Sequence, residues 1–229
     1  MRPGAAPTYD HLVRAVPSGA RVLDLGCGDA YLVTRLGPRA VGLDLAPAPG
    51  PPGGAAVVQG RAQAMPFRDG AFDACVCHLA FMLFDDLDQV VRELRRVVVP
   101  GGRFLAVLGG GPTAADPGDD AFHRFLALAP LRGPALGDRR ATSEAGWRAL
   151  FGGAPCFSRL EVDLTGTFDQ VWQFLGSSYQ LDDDDAPAVR AELGARYGAC
   201  ARVPCRVVFW LAEATLVPEI AGRIDPLRR

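Results

Sequence analysis

Lysine and asparagine are absent from this chain, and histidine occurs at three positions only, His11, His78 and His123. All 24 basic residues are therefore arginine, set against 26 acidic ones for a net charge of -2. Without a basic surplus there is little to neutralise a phosphate backbone, which argues against nucleic acid as a partner. Together with 27 Gly and 19 Pro, the missing lysine and asparagine read as GC-rich codon bias, so arginine, alanine and proline counts carry no functional weight. No apolar run approaches the roughly 18 residues that span a bilayer. Met1 to Pro17 holds no continuous apolar core of the secretory kind. The expectation is a cytoplasmic protein with no membrane partner. The six cysteines, Cys27, Cys75, Cys77, Cys156, Cys200 and Cys205, form no pair of C-x-x-C motifs. They are read as free thiols with no metal bound, Cys75 and Cys77 sharing one face of a strand.

What is present is a chain of 229 residues, 49% of them hydrophobic. That suits one α/β domain with an elaboration and a sizeable core. The first half reads strand, turn, helix, repeated. Arg21 to Leu25 is a short apolar strand entering a glycine turn, and Tyr31 to Leu36 is a helix closed by Gly37-Pro38. Ala40 to Asp44 and Ala56 to Gln59 are the next two strands. Between them Ala46 to Ala55 is too rich in Pro and Gly for a regular helix. The turn Arg68-Asp69-Gly70 leads to a fourth strand, Phe72 to Cys77. Leu87, Val90, Val91, Leu94, Val97 and Val98 recur at helical spacing, after which Pro100-Gly101-Gly102 turns into a fifth strand, Arg103 to Leu108. Crossovers of this kind imply a parallel sheet with helices on its faces.

The second half has a different grain. Gly109 to Gly118 reads as a loop, and Ala121 to Ala129 and Thr142 to Phe151 as helices, the latter capped by Thr142 or Ser143. Leu160 to Leu164 is a sixth strand, Phe168 to Leu175 and Pro187 to Tyr197 are helices, and Cys205 to Leu211 is a seventh strand. Pro218 to Arg229 reads as a tail.

Chemistry concentrates in Val22-Leu-Asp-Leu-Gly-Cys-Gly-Asp-Ala30. A buried strand delivers Asp24 to the carboxyl edge of the sheet, and Gly26 and Gly28 allow a tight turn that a ligand can approach closely. A dinucleotide and S-adenosylmethionine both suit such a crevice. The dinucleotide fingerprint needs Gly or Ala where Tyr31 stands, which disfavours a pyrophosphate there. Asp44 ends the second strand 20 residues after Asp24. A carboxylate there can accept both ribose hydroxyls of an adenosine ligand, although a strand-end Asp is also a common turn former.

Taken together, Val22 to Gly28, Val41 to Leu45, Gln59 to Phe67, Asp69 to Asp73 and Leu94 to Phe104 resemble, in order and spacing, the class I S-adenosylmethionine-dependent methyltransferases of the small-molecule type. The resemblance covers residues 12–108 strongly, and Thr142 to Leu164 and Cys205 to Ala212 more weakly. It implies a Rossmann-like α/β fold: a seven-stranded, mostly parallel sheet with helices on both faces and a helical lid insert. A single domain follows, with a cofactor-binding half at 12–108, a substrate-side half at 109–212, and the insert at 165–202. The cofactor implied is S-adenosyl-L-methionine. Asp24, Gly26, Cys27 and Gly28 would hold its amino-acid end, Asp44 its ribose and Leu45 its adenine face. Ala62, with Arg61 or Gln63, would meet the adenine edge; Cys77, His78 and Leu79 would lie beneath the sulfonium. Three features depart from the family pattern. Ala30 replaces its third glycine. Arg61, which has only donors, replaces an acidic acceptor. The Pro/Gly stretch replaces the helix after the second strand.

Methyl transfer from a sulfonium asks mainly for alignment, and for a base only when the acceptor is a protonated weak nucleophile. His78 is the best-placed base, the alternatives being cofactor contact or core. His123 reads as helix surface or acceptor pocket, and Tyr9 as a closing residue or part of a loose end. Phe81 and Met82, in an apolar run beyond the sheet edge, and Trp172 and Tyr179 in the insert suggest an acceptor pocket. The plain alternative for the insert's aromatics, which include Phe174, is packing onto the sheet. Asp182 to Asp185 diverge along the chain and read as a solvated loop. The function expected is O- or N-methylation of a small, partly apolar metabolite by a monomer or homodimer. A cyclisation templated by the same pocket, or a non-catalytic binding or scaffold role, are the competing readings.

Overall fold

The computed structural model describes residues 6–47, 52–112, 120–129, 137–179, 181 and 183–217. Its elements in chain order are α1 (Ala6–Ala15), β1 (Val22–Leu25), α2 (Tyr31–Leu36), β2 (Ala40–Asp44), β3 (Val57–Gln59), β4 (Phe72–His78), α3 (Leu87–Val97), β5 (Val98–Pro112), α4 (Ala121–Leu128), α5 (Glu144–Phe151), β6 (Cys156–Asp163), α6 (Phe168–Tyr179), α7 (Ala186–Tyr197) and β7 (Arg206–Thr215). They build one seven-stranded sheet in the order β3-β2-β1-β4-β5-β7-β6. The first five strands are parallel, and β7 runs antiparallel to both its neighbours, β5 and β6. The expected sheet is thus observed.

This order creates the crevice. From β1 the chain moves outward to β2 and β3, then returns to place β4 on the other side of β1. Asp24 consequently pairs in register with Gly42 on one side and Val76 on the other. At such a switch point the loops leave in opposite directions and open a cleft at the carboxyl ends of the strands. Because β7 opposes both neighbours, β6 runs the same way as β5. The segment 165–202 therefore leaves β6 and re-enters β7 at that same carboxyl edge, where Asp163 pairs with Arg206.

Two apolar layers flank the sheet. On one face Leu12 of α1, Leu32 of α2, Phe122 and Phe125 of α4, Leu175 of α6 and Leu193 of α7 join one core. On the other, α3 lays Leu87, Val90, Val91, Leu94 and Val97 onto Leu23, Cys75, Cys77 and Phe104. Burying each aliphatic side chain stabilises by roughly 1.5–3 kcal/mol. Asp86 caps α3 by accepting from the Gln89 N–H, and Ser143 caps α5 by accepting from the Gly146 N–H. Beneath α5, the Trp147 indole stacks on Phe104 with centroids 5.4 Å apart and donates to the Ala141 carbonyl.

Several boundaries differ from expectation. β5 begins directly at Val98, with Pro100-Gly101 inside it, and continues through Gly109 to Pro112, residues expected to be a loop. The glycines permit this: a Cβ on Gly110 would fall 1.8 Å from the Val208 carbonyl oxygen. β6 starts four residues earlier than Leu160. It is an edge strand with only Val162 buried, so its first half carries little apolar signal. β7 runs on to Thr215 because Ala212 and Ala214 still pair with β5. Within the Pro/Gly stretch, Pro52–Gly54 is a 3-10 turn and residues 48–51 lie outside the described ones. Residues 113–118 of the expected loop and the tail from 218 also lie outside them.

Among the described residues no helix is long and apolar enough to cross a membrane, and no three His, Cys, Asp or Glu side chains gather to hold a metal. All six cysteines are free.

Candidate functional site

The turn after β1 is built on left-handed backbone: φ is +75° at Gly26, +52° at Gly28 and +59° at Ala30. At Gly26 a Cβ would sit 2.4 Å from that of Ala80, so the segment leaving β4 can pass close only because no side chain is there. At Gly28 an added Cβ meets nothing within 4 Å, which leaves that backbone open. Ala30, where the family has glycine, keeps the left-handed conformation and is buried. Asp44 ties two loops together: one carboxylate oxygen accepts from the Gly28 N–H at 2.9 Å, the other from the Ala46 N–H at 2.9 Å. Each oxygen keeps a further lone pair for a ligand hydroxyl. Leu45 follows, 61% exposed, an uncovered apolar side chain beside the same turn.

Asp24 lies beneath this turn and is 1% exposed. Neither of its oxygens has a hydrogen-bond partner. Burial, then the charges of Asp44 and Asp29, push its carboxyl up to about 8. A buried, unsatisfied carboxyl is costly and calls for an explanation; a donor-bearing ligand supplies one. Burial, followed by Asp24 and Asp44, also pushes the Cys27 thiol up to about 12. Burial raises the fully enclosed Cys77 as well. Neither thiol is thus fitted to act as a nucleophile.

On the other side of the switch point β4 ends at His78. The Thr8 hydroxyl lies 2.8 Å from His78 Nε2, and the Tyr9 ring stacks on the imidazole with centroids 4.0 Å apart. Tyr9 also meets Tyr31 edge-on at 4.9 Å. Helix α1 thereby reaches across from the end of β4 to the glycine turn. Leu79 is held at φ +57°, its N–H donating to the Val107 carbonyl, a strained conformation for a branched side chain. Thr8 joins this group without having been singled out in the sequence, and Tyr31 stands out there only as the residue that disfavours a pyrophosphate. Contacts 70 residues apart leave no mark in local spacing; a polar Thr on the apolar face of a helix is the one available signal.

The loop after β3 brings Arg61, Ala62 and Gln63 to the same edge: the Gly60 N–H donates to the Asp44 carbonyl, and Gln59 Nε2 to that of Leu45. Arg61 is exposed and Ala62 buried, while Gln63 Nε2 donates to the Asp85 carbonyl at 2.9 Å and to its carboxylate.

The acceptor-pocket candidates do not gather in one place. Phe81 is fully buried among Phe104, Trp147 and Phe151, with no surface left for a pocket, because the apolar run after β4 folds back under α3 and α5. Met82 is half-buried, its sulfur accepting from the Gly109 N–H. His123 sits half-buried on α4, whose start Asp120 ties to β7 by accepting from the Arg206 N–H. Trp172 is half-buried, edge-on to Phe125 at 6.4 Å and facing the Arg190 guanidinium at 5.8 Å. The side chain of Tyr179 and all of Asp182 lie outside the described residues. A groove of about 350 Å³ bordered by Val13, Pro17, Leu36 and Arg39 lies at the opposite, amino end of β1, away from this chemistry.

A glycine turn at the switch point of this sheet, an orphaned carboxyl beneath it and a second carboxylate on the next strand define a Rossmann-like fold with a crevice chemically suited to an adenosine-bearing ligand. Residues 23–106 match the methyltransferase domain family. The chain is thus similar to methyltransferases over residues 23–106. It is 39% identical over 93 residues, 41% of its length, to the uncharacterized methyltransferase YcgJ of Bacillus subtilis. It is 31% identical over 134 residues, 44% of its length, to the demethylmenaquinone methyltransferase of Thermus thermophilus. Those matches span 34% and 61% of the two relatives. In fold, it resembles the crystal structure of the Bacillus YcgJ protein with a TM-score of 0.61 at 20% identity, covering 93% of this chain and 100% of that one.

Proposed function

We propose that the protein transfers a methyl group from S-adenosylmethionine to a hydroxyl or amine of a small, partly apolar metabolite. The observation that carries this reading is Asp24, buried and partnerless under an open glycine turn. The donor set fits the cofactor. Asp24 and the backbone of Gly26 to Gly28 would take its amino-acid end, and the free lone pairs of Asp44 its ribose hydroxyls. Exposed Leu45 would pack on its adenine, with Ala62 and Gln63 at the edge. Arg61 carries only donors, so the adenine amino group falls to a carbonyl or to the Gln63 amide oxygen.

The bound cofactor supplies a methyl group already activated on a sulfonium; the chain's part is to orient the acceptor and exclude water. His78, held by Thr8 and stacked under Tyr9, is the residue assigned to receive the acceptor's proton. Met82 and the insert carrying Trp172, though not in contact with each other, would supply apolar surface on the acceptor side. The name of the Thermus relative, a demethylmenaquinone methyltransferase, is in keeping with a partly apolar acceptor. Titration calorimetry with S-adenosylmethionine and S-adenosylhomocysteine tests the reading. Micromolar binding of both is expected, and absence of binding at millimolar ligand overturns it.

A further inference from the structure

Helix α3 grips the loop after β3 by its backbone. Gln89 Nε2 donates to the Gln63 carbonyl at 3.0 Å, and Glu93 Oε2 accepts from the Met65 N–H at 2.7 Å. Arg96 donates to the Met65 carbonyl at 2.9 Å and to the Phe67 carbonyl at 2.6 Å. The three side chains follow one another at helical spacing along a single face, and their targets fall at every second residue of the loop, Gln63, Met65 and Phe67. Helix and loop thus run alongside each other in register. Glu93 is nearly buried, and both its oxygens also accept from Arg96 at 2.7 Å, which holds its carboxyl below the usual range. Apolar packing of α3 needs none of this, since Leu87, Val90, Val91, Leu94 and Val97 already fix the helix on the sheet.

We propose that Gln89, Glu93 and Arg96 are positioning residues that set the adenine edge of the cofactor site by clamping the loop carrying Arg61, Ala62 and Gln63. This inference rests on the site reading given above. With Arg61 unable to accept from adenine, recognition of that edge falls to backbone carbonyls and the Gln63 amide. Backbone groups recognise a ligand only when the loop is held still. The chain supplies that hold from α3, a helix fixed on the sheet by its own apolar face.

The test uses the full chain and two ligands, S-adenosylhomocysteine and 5′-methylthioadenosine, which share the adenosine and differ in the amino-acid end. Glu93→Ala should raise Kd for both by a similar factor, about tenfold, whereas Glu93→Gln, which still accepts from the Met65 N–H, should recover most of the affinity. Gln89→Ala, which removes one contact, should raise both by a few-fold with the melting temperature unchanged; it decides the matter if Glu93→Ala does not fold. Variants that bind both ligands like the wild type overturn the clamp while leaving the site reading intact. So does a loss confined to S-adenosylhomocysteine, which would place the effect at the amino-acid end. A wild-type protein that binds neither ligand overturns the site reading and the clamp with it.

Discussion

Replacing Asp24 with asparagine separates the cost of burying a carboxyl from the use made of it. In the free protein its pKa is pushed from 3.8 up to about 8, chiefly by burial. At about 1.4 kcal/mol per unit, that shift corresponds to on the order of 5 kcal/mol between protonated and ionised forms. The sign follows from the direction of the shift. The unfolded chain releases this proton near pH 4 and the folded one near pH 8, so across that window the folded state binds more protons. Stability from this group is complete below about 4, falls as pH rises, and is gone once the folded carboxyl ionises. Denaturation of wild type and Asp24→Asn should therefore show a wild type that loses several kcal/mol more than the variant between about pH 5 and about pH 8. The same substitution should weaken binding of the cationic cofactor. Wild-type binding near neutral pH should release up to one proton, read as a dependence of calorimetric enthalpy on buffer. Equal pH slopes for the two proteins would refute the claim that Asp24 is buried without a partner.

Asp44→Ala should weaken S-adenosylmethionine binding by about 1.5–3 kcal/mol, the range for hydrogen bonds to a charged group, as measured by calorimetry. Gly28→Ala should stay folded, at a cost of about 1–2 kcal/mol for a left-handed L-residue, yet lose cofactor binding more than tenfold because the new methyl enters the open side of the turn; normal affinity would displace the proposed cofactor position. Trp172→Ala should lower turnover with the true acceptor while leaving cofactor affinity within about 0.5 kcal/mol. A joint fall in cofactor affinity and melting temperature would make Trp172 a packing residue of α4 and α6.

The parallel half of the fold was legible because each of its elements carries its own signal. β1 and β2 are apolar runs ended by glycine and aspartate, β4 is an apolar run entered through the turn Arg68-Asp69-Gly70, and α3 has an unbroken apolar stripe. β6 and the far end of β5 were not, since an edge strand and a glycine-rich strand are held by backbone pairing that side-chain pattern does not encode. Asp24, Gly28, Asp44 and Leu45, the residues proposed to meet the cofactor, converge because they sit at fixed offsets from strand ends. The acceptor side did not follow local rules. Phe81 reads as an odd apolar residue beyond the sheet edge because α5, which covers it with Trp147 and Phe151, lies 60 to 70 positions further along the chain. The Thr8–His78 contact and the left-handed Leu79 likewise depend on tertiary packing alone.

The place of β7 also bears on how the molecule is made. The last strand among the described residues is interior to the sheet, between β5 and β6, and its partner Arg103 lies more than a hundred residues before its Thr215. Until residues 206–215 have been synthesised, β6 has no strand to pair with, and the outer edge of β5 stays open along its length. The parallel half can assemble as it emerges from the ribosome, but the edge around which α4, α6 and α7 gather must wait. Pairings this distant in sequence slow folding and leave an exposed strand edge in the interim. A chain stalled before β7 would present β5 to other nascent chains, and that is the stage at which this fold is most exposed to aggregation and to chaperone capture.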